Sequence, residues 1–397
     1  MRWQPLVLGD SLEFLIDNRG KNPEFSDHGI PAISGMSVGN GVLDLSAARR
    51  VSPDVWNKWM PHKTRKHDVV LTSEAPLGRV ALVESDEPLT LAQRVFGLRG
   101  RAGVLDSRFL FYAFQTTQVQ SDLQGRATGT TVLGIRQPAL LKVQIPAPRY
   151  EEQRAIAEVL GALDDKIAAN TKLASTADDL ATSLFHRAVH GVTLSDRTFG
   201  DTAVVSGGGT PSTKVPGYWD GDVPWATPTD ITSLEGPYLE STHRVISQAG
   251  LSACASALYP AGSILMTSRA TIGAFAIAQT PVAVNQGFIV VRPVDPGLNY
   301  WIFHEMRSRV EEFIALANGA TFLELSRGNF KKFKVRLADT RTMEAFGHQA
   351  ESLHAIARTA LRENAKLAST RDVLLPQLMS GKLLVKDAER ILEDAGV

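Results

Sequence analysis

Two stretches of the chain repeat apolar residues at alternating spacings of four and three. In the first, Ile156, Leu160, Leu163, Ile167, Asn170, Ala174, Ala177, Ala181, Leu184 and Ala188 keep the alternation throughout. Such a heptad seam predicts a long helix that needs a partner helix. In the second, Leu353, Ala357, Ala360, Asn364, Leu367, Leu374 and Leu378 keep it, although Arg371 interrupts the seam and Pro376 is expected to kink or end the helix. Residues 149–190 and 340–380 are almost free of Gly and Pro and rich in Ala, Leu, Glu and Lys. Gly191 and Gly381 follow them, where a left-handed C-cap is expected. Residues 1–148 and 199–339 instead hold most of the Gly, Pro, Trp and Phe, with short apolar runs bounded by turn residues, and read as α+β globules.

The pattern occurs twice, at an offset of roughly 190 to 195 residues. Gly9-Asp10 returns as Gly200-Asp201, Gly29-Ile30-Pro31 as Asp222-Val223-Pro224, and Val69 to Gly78 as Ile264 to Gly273. Gln93 to Leu98 pairs with Gln286 to Val291, and Ala127 to Leu133 with Ala317 to Leu323. The clearest match sets Asn170-Thr171-Lys172-Leu173-Ala174-Ser175-Thr176 against Asn364-Ala365-Lys366-Leu367-Ala368-Ser369-Thr370, with one difference. The landmarks are shared while Ser34 to Lys66 and Ala226 to Ala261 diverge, as a common frame with two different reading surfaces would.

The expected architecture is α+β: two β-rich domains related by internal repeat, separated by two long antiparallel coiled-coil helices. The segments are 1–148, a first helix 149–190, 199–339, a second helix 340–382, and a C-terminal tail 383–397. A helix of ~40 residues rising ~1.5 Å per residue is about 60 Å long, which suits a spacer. Asn170 and Asn364 sit at apolar seam positions. They either face solvent or bond each other or a neighbour, and in the second case they fix register.

Composition narrows the class. The 397 residues carry 42 Lys+Arg against 42 Asp+Glu, which argues against indiscriminate nucleic-acid binding and leaves any DNA contact to local patches or partners. The single cysteine, Cys254, excludes an intrachain disulfide framework and a cysteine-based zinc site, and fits a reducing cytoplasm. The N-terminus has no apolar signal core, and no run reaches the ~18 apolar residues of a membrane span.

The order of these elements resembles the DNA specificity subunit of type I restriction-modification systems. The resemblance runs through Gly129, Thr131 and Leu133, then Ile145-Pro146-Ala147-Pro148, Glu151-Glu152-Gln153-Arg154, Ile156, Leu160, Leu163-Asp164 and Lys166-Ile167. Gly208-Gly209-Thr210-Pro211-Ser212, Tyr218-Trp219, Val223-Pro224-Trp225, Asp230-Ile231 and Val284-Asn285-Gln286-Gly287-Phe288 are similar to phrases of that family's target recognition domains. Leu374 to Gly381 is similar to the close of its second helix. The resemblance implies a non-catalytic chain with two target recognition domains, each reading one half of a split site in double-stranded DNA. It also implies that the helices set the gap and dock two methyltransferase (modification) subunits, with restriction/translocase subunits in the larger assembly. Glu151, Glu152, Gln153 and Arg154 are then candidates for the docking surface. Acids in the first turn also complement the helix dipole.

Base readout needs paired donors and acceptors, and phosphate contact needs Lys, Arg and hydroxyls. Lys58, Lys63, Arg65 and Lys66 lie on one acid-free loop beside Trp59. Thr210, Ser212, Lys214, Tyr218 and Trp219 lie on a Gly/Pro-rich loop, and Thr267, Ser268 and Arg269 on a turn whose repeat partners are Thr72, Ser73 and Glu74. Lys331, Lys332, Lys334 and Arg336 read as a basic strand. Catalytic motifs fail on context. Gly35-x-Ser37-x-Gly39 runs into the turn Asn40-Gly41 and not into a helix. His186 and His190 lack the zincin Glu and a third ligand. Gly207 to Lys214 lacks the Gly-Lys-Ser/Thr order of a phosphate loop, and Asn22-Pro23-Glu24-Phe25 lacks the second Pro of the amino-methyltransferase motif. No site for S-adenosylmethionine, ATP or a catalytic metal is legible, so no cofactor is expected. The competing expectation is a two-headed coiled-coil scaffold that binds protein or glycan through its β-rich domains.

Overall fold

The computed structural model describes residues 3–18, 20–39, 41–317 and 324–395. Two helices of 39 residues each, Tyr150–Ala188 and Thr340–Leu378, dominate the chain. The chain divides into two compact units, Met1–Lys166 with Lys366–Val397, and Ile167–Ala365. Each unit therefore contains one β-rich domain and part of both helices.

In the first unit, four antiparallel strands lie in the order Leu12–Asp17, Val95–Gly100, Val69–Thr72, Val80–Leu82. Val69–Thr72 is buried at every position, so it reads as an unbroken apolar run without alternation. A second sheet has Ile30–Ile33 between Arg49–Val51, antiparallel, and Thr90–Leu91, parallel. Ile16, Ile33, Val70, Ala81, Leu91 and Val95 fill one core of this unit. Gln4–Val7 pairs with Gln144–Ala147 and ties the start of the domain to its end.

The second unit repeats the plan. Its main sheet runs Ala203–Ser206, Phe288–Pro293, Ile264–Thr267, Phe275–Ala278, with Tyr238–Leu239 added at the edge. Its second sheet places Trp219–Ala226 between antiparallel Arg244–Ile246 and parallel Ala283–Val284. Leu194–Thr198 pairs with Lys334–Arg336 as the closing pair. The repeat holds down to single hydrogen bonds. Thr72 Oγ1 donates to Pro76 O (2.6 Å) and accepts from Arg79 N (2.9 Å), while Thr267 Oγ1 donates to Thr271 O and accepts from Ala274 N (2.9 Å). Gly9-Asp10 and Gly200-Asp201 both fall in one-turn helices, Leu8–Ser11 and Phe199–Thr202. The second member of the Ala127 to Leu133 pair lies outside the described residues from position 318 onward.

Within the second unit the long helices run in opposite directions against each other: Phe185 meets Phe346 (5.4 Å between ring centres), and further back Asn170 meets Glu363. Ala174 and Ala177 pack with Ala357 and Ala360 between these points. Asn170 Nδ2 donates to Glu363 Oε2 (2.7 Å), and Asn364 Nδ2 donates to Ile167 O (3.2 Å) and Thr171 Oγ1 (2.9 Å). Both asparagines are buried, so each bonds a neighbour and neither faces solvent. In the first unit Arg371 breaks the apolar pattern to reach Asp164 (2.7 Å), whose other oxygen accepts the Tyr112 hydroxyl (2.5 Å). Burial, then that carboxylate, pushes the Tyr112 hydroxyl well above its usual range.

One seam position is corrected. Leu184 is only half-buried and Phe185 is fully buried, because an α-helix of 3.6 residues per turn drifts from a strict seven-residue repeat. The second helix ends at Leu378, two residues after Pro376, as expected of a proline that removes an N–H bond to the preceding turn. Within the C-terminal tail, Val385–Ala395 is helical. Gly191 and Gly381 take the left-handed conformation expected of them (φ +75° and +68°).

A buried polar chain crosses the second unit. Tyr238 Oη lies 2.7 Å from His354 Nδ1, and His354 Nε2 lies 3.0 Å from His304 Nε2. Tyr300 stacks on His354 (4.6 Å). Burial pushes His354 down to about 4, with Asp178 opposing, and burial and His354 push His304 down to about 2. Both imidazoles are therefore neutral at pH 7. Below their ordinary value of 6.5 the unfolded chain takes up protons that the folded chain refuses, so this stability is complete above pH 6.5 and is lost as pH falls toward 4. Urea unfolding is expected to show the second unit about 2–4 kcal/mol weaker at pH 5 than at pH 7.5, with most of that drop gone in a His304→Phe/His354→Gln variant. An undiminished drop in the variant would refute the assignment. Asn364 Oδ1 is buried and has no partner among the described residues. Asn364→Leu is accordingly expected to raise stability by about 1 kcal/mol in denaturant titration.

Candidate nucleic-acid interface

In the first unit, indole N–H groups fasten the polar loops to the smaller sheet. Trp56 Nε1 donates to Leu89 O and Trp59 Nε1 to Leu91 O, each at 2.9 Å. Lys58 projects from the short helix Pro53–Trp59 into solvent. Lys63 is half-buried, with its ammonium 3.5 Å from the Trp56 ring centre and 3.3 Å from Asn57 Oδ1. Arg65 and Lys66 are exposed on a tight turn held from beneath by Asp68. The Asp68 carboxylate accepts from Arg65 N (2.8 Å) and from Arg99 Nε and Nη2 (both 2.7 Å). The Arg99 and Asp68 side chains are 10% and 4% exposed, so neither charge has water to fall back on.

In the second unit Trp225 Nε1 donates to Gly209 O (3.1 Å) and Trp219 Nε1 to Ser212 O (3.2 Å). The two rings meet edge to face, and the Arg244 guanidinium lies 3.7 Å from the Trp219 ring centre. This holds the loop with Thr210, Ser212 and Lys214 exposed and Tyr218 half-buried. Thr210 Oγ1 donates to Gln286 Oε1 (2.6 Å), which brings a glutamine amide to the same loop. Gln286 and Arg244 are not among the contact candidates read from sequence, although Arg244 follows Ser241-Thr242-His243 and Gln286 lies in a family phrase. Sheet pairing sets Arg244 opposite Trp225, and the turn after Ala283–Val284 carries Gln286 to Thr210.

Other candidates fall elsewhere. Thr72, Ser73, Thr267 and Ser268 are buried, with the threonine hydroxyls committed to their own turns, so these four are structural. Arg269 is exposed but pairs with Glu324 (2.8 Å), as Arg94 does with Glu74 (3.1 Å). Lys331 and Lys332 are exposed at the end of the helix Arg327–Lys331, and only Lys334 and Arg336 lie on a strand. Those two are paired, Lys334 with Asp196 (3.0 Å) and Arg336 with the fully buried Glu305 (2.8 Å), so the expected basic strand does not form. At the start of the first long helix Glu151 and Arg154 are exposed and Glu152 is half-buried. Gln153 is buried instead: its Oε1 accepts from Asp106 N, and its Nε2 donates to Val104 O and Pro148 O, all at 3.0 Å. It clamps the helix to its domain and offers nothing to a partner. Ser37 is also buried, capping the turn Gly35–Ser37 and lying in no nucleophile elbow. His186 and His190 are exposed, and no group of three metal-capable side chains occurs among the described residues.

Breaking the Asp68–Arg99 pair by removing Asp68 leaves a buried guanidinium with only the half-exposed Glu13 carboxylate nearby, 3.8 Å away. Asp68→Ala is expected to destabilise the first unit by about 3 kcal/mol in urea titration, and Asp68→Leu with Arg99→Met to recover most of it. A loss no larger than that of an exposed pair would overturn this account.

Comparison with known proteins completes the picture. A family model described as the type I restriction modification DNA specificity domain matches twice, over residues 37–176 and 192–343. Among characterised relatives, the type I restriction enzyme MjaIX specificity subunit of Methanocaldococcus jannaschii is 36% identical over 137 residues, 34% of this chain and 32% of that protein. The MjaVIII specificity subunit of the same organism is 29% identical over 170 residues, 42% of this chain and 40% of that protein. The matches thus span about a third to two fifths of these relatives' length. The crystal structure of a type I restriction-modification S subunit from M. genitalium shares the fold with a TM-score of 0.63 at 17% identity, covering 95% of this chain and 96% of that one. No described helix is long and apolar enough to cross a membrane. The double match falls once on each repeat and takes in most of the sequence, so the chain belongs to the type I restriction modification DNA specificity family.

Proposed function

We propose that this chain is the DNA sequence-recognition subunit of a type I restriction-modification complex. It binds a split, asymmetric site in double-stranded DNA and positions methyltransferase and restriction/translocase subunits on it. Residues 1–148 read one half-site and residues 199–339 the other. The two long helices act as an antiparallel coiled-coil spacer that sets the gap, and their exposed ends dock two methyltransferase subunits. The chain itself performs no chemistry and works in the cytoplasm.

The carrying observation is a frame used twice with different loops. Both units order their strands alike, and the same threonine closes the same turn. Yet one frame presents Lys58, Arg65 and Lys66, and the other Thr210, Ser212, Lys214 and Gln286. Two readers of different chemistry in one chain match a target with two unlike halves. Balanced charge fits a subunit that binds weakly alone and tightly once its partners close round the duplex.

Co-expression with the cognate modification subunit in a methylation-free host, followed by mapping of modified bases, tests this reading. A two-part motif with a fixed gap is expected, and exchanging residues 1–148 should change one half alone. No new methylation, with the partner active on another specificity subunit, would favour the scaffold.

A further inference from the structure

A pocket of about 250 Å³ opens in the first unit beside the start of the first long helix, lined by Arg65, Lys66, His67, Arg108 and Tyr150 among others. Asp68 and Asp106 also line it but are already committed, and the exposed Asp86 accepts from the Lys66 backbone N–H (2.9 Å). Asp68 is held by Arg99, and Asp106 caps the helix Ser107–Ala113 through Phe109 N (2.9 Å). Asp165 reaches Arg108 only at 3.5 Å and is mostly exposed. Among the described residues no ion pair engages the Arg65 guanidinium or the Lys66 ammonium. The Arg108 guanidinium lies against Gly161 of the long helix so closely that a Cβ there would fall 1.8 Å from Nη2. Its Nε is buried without a hydrogen-bond partner in the described structure. The arginine thus packs into the space that a mid-helix glycine leaves open, and its Nε stays under-bonded.

The second unit supplies an internal control. Its equivalent turn is Pro260-Ala261-Gly262-Ser263, and the backbone bonds correspond one for one. His67 N donates to Val83 O (2.8 Å) and Gly262 N to Ala278 O (2.7 Å); Val83 N donates to Asp68 O and Ala278 N to Ser263 O, both at 2.9 Å. Gly262 is left-handed at φ +86°, as the turn requires. His67 occupies the same conformation at +73°, which an L side chain adopts at a cost. The fold therefore needs neither the two cations nor the imidazole, since it makes this turn without them. Burial is the main cause that pushes the His67 imidazole below its ordinary value; Arg108 and Lys66 add to it, and Asp106 and Asp165 oppose it.

We propose that Arg65, Lys66, His67 and Arg108 form a pocket for a phosphate group of the DNA backbone, gripping the strand that the first recognition domain reads. Resting on the DNA-recognition reading above, this adds a sequence-independent grip to one half of the site. Guanidinium and ammonium donors around a concavity suit a phosphodiester oxygen, and no base-selective amide lines it.

The test uses the chain assembled with its modification subunits, and measures affinity against salt for the target duplex and an unrelated one. Arg65→Ala/Lys66→Ala alters only exposed side chains, and His67→Gly recreates the residue of the second repeat, so both are expected to fold. The double variant should weaken both duplexes by the same factor and lower the slope of log affinity against log salt by about one to two. Unchanged affinity and slope would overturn the pocket while leaving recognition intact. A loss confined to the target duplex would overturn it in favour of base readout. Failure of the wild-type complex to prefer its target would strike the recognition reading itself.

Discussion

Two helices of 39 residues each carry an apolar stripe that neither can bury alone. Removing that stripe from water requires a partner surface along its length. Within each unit the partner is the other long helix together with one β-rich domain. In the second unit Phe185 enters the domain core beside Trp301 and His304, and Arg307 makes a bidentate pair with Asp178 (2.8 and 2.9 Å). In the first unit Gln153, Tyr112 and Arg371 perform the equivalent task. Non-directional burial supplies most of the attraction. The polar groups set into the stripe decide where along the helix each domain attaches, because a one-turn slip would strand them without partners.

The repeat separates structural necessity from function inside a single chain. Where both copies keep a residue for the same bond, as with Thr72 and Thr267, the bond belongs to the frame. Asn170 and Asn364 keep their identity and their burial but not their partners, one reaching a carboxylate and the other a carbonyl and a hydroxyl. What the two share is a small polar side chain buried beside a seam of alanines, not a particular bond. Positions where one copy is economical and the other strained, as with Gly262 and His67, point to selection for something other than folding.

The family assignment and the loop chemistry support each other from different directions. The family model matches once in each repeat: the second match spans every strand of its frame, and the first begins at residue 37, after the strands Gln4–Val7, Leu12–Asp17 and Ile30–Ile33. Tryptophan indoles tie the exposed loops to strands in both units, but through different backbone partners, Leu89 and Leu91 in one and Gly209 and Ser212 in the other. The anchoring principle is common and the presented surface is not.

The long helices, their capping glycines and the internal repeat could be read from sequence, because each rests on periodicity or on steric demands local to a few residues. The α+β character of the domains was legible for the same reason. The surface was not. Ser73 and Ser268 look like hydroxyls on polar turns, and only sheet packing seals them. Gln153 sits in a charged helical turn, yet its amide turns inward to a loop 47 residues away. Lys334 and Arg336 form a basic run until Asp196 and Glu305 arrive from distant segments. Arg108 carries no local signal, and its guanidinium lies against Gly161, a residue of the first long helix. Periodicity is a property of neighbours in sequence. Burial of a polar group, and the partner that makes burial tolerable, depend on long-range contacts that only the tertiary fold creates.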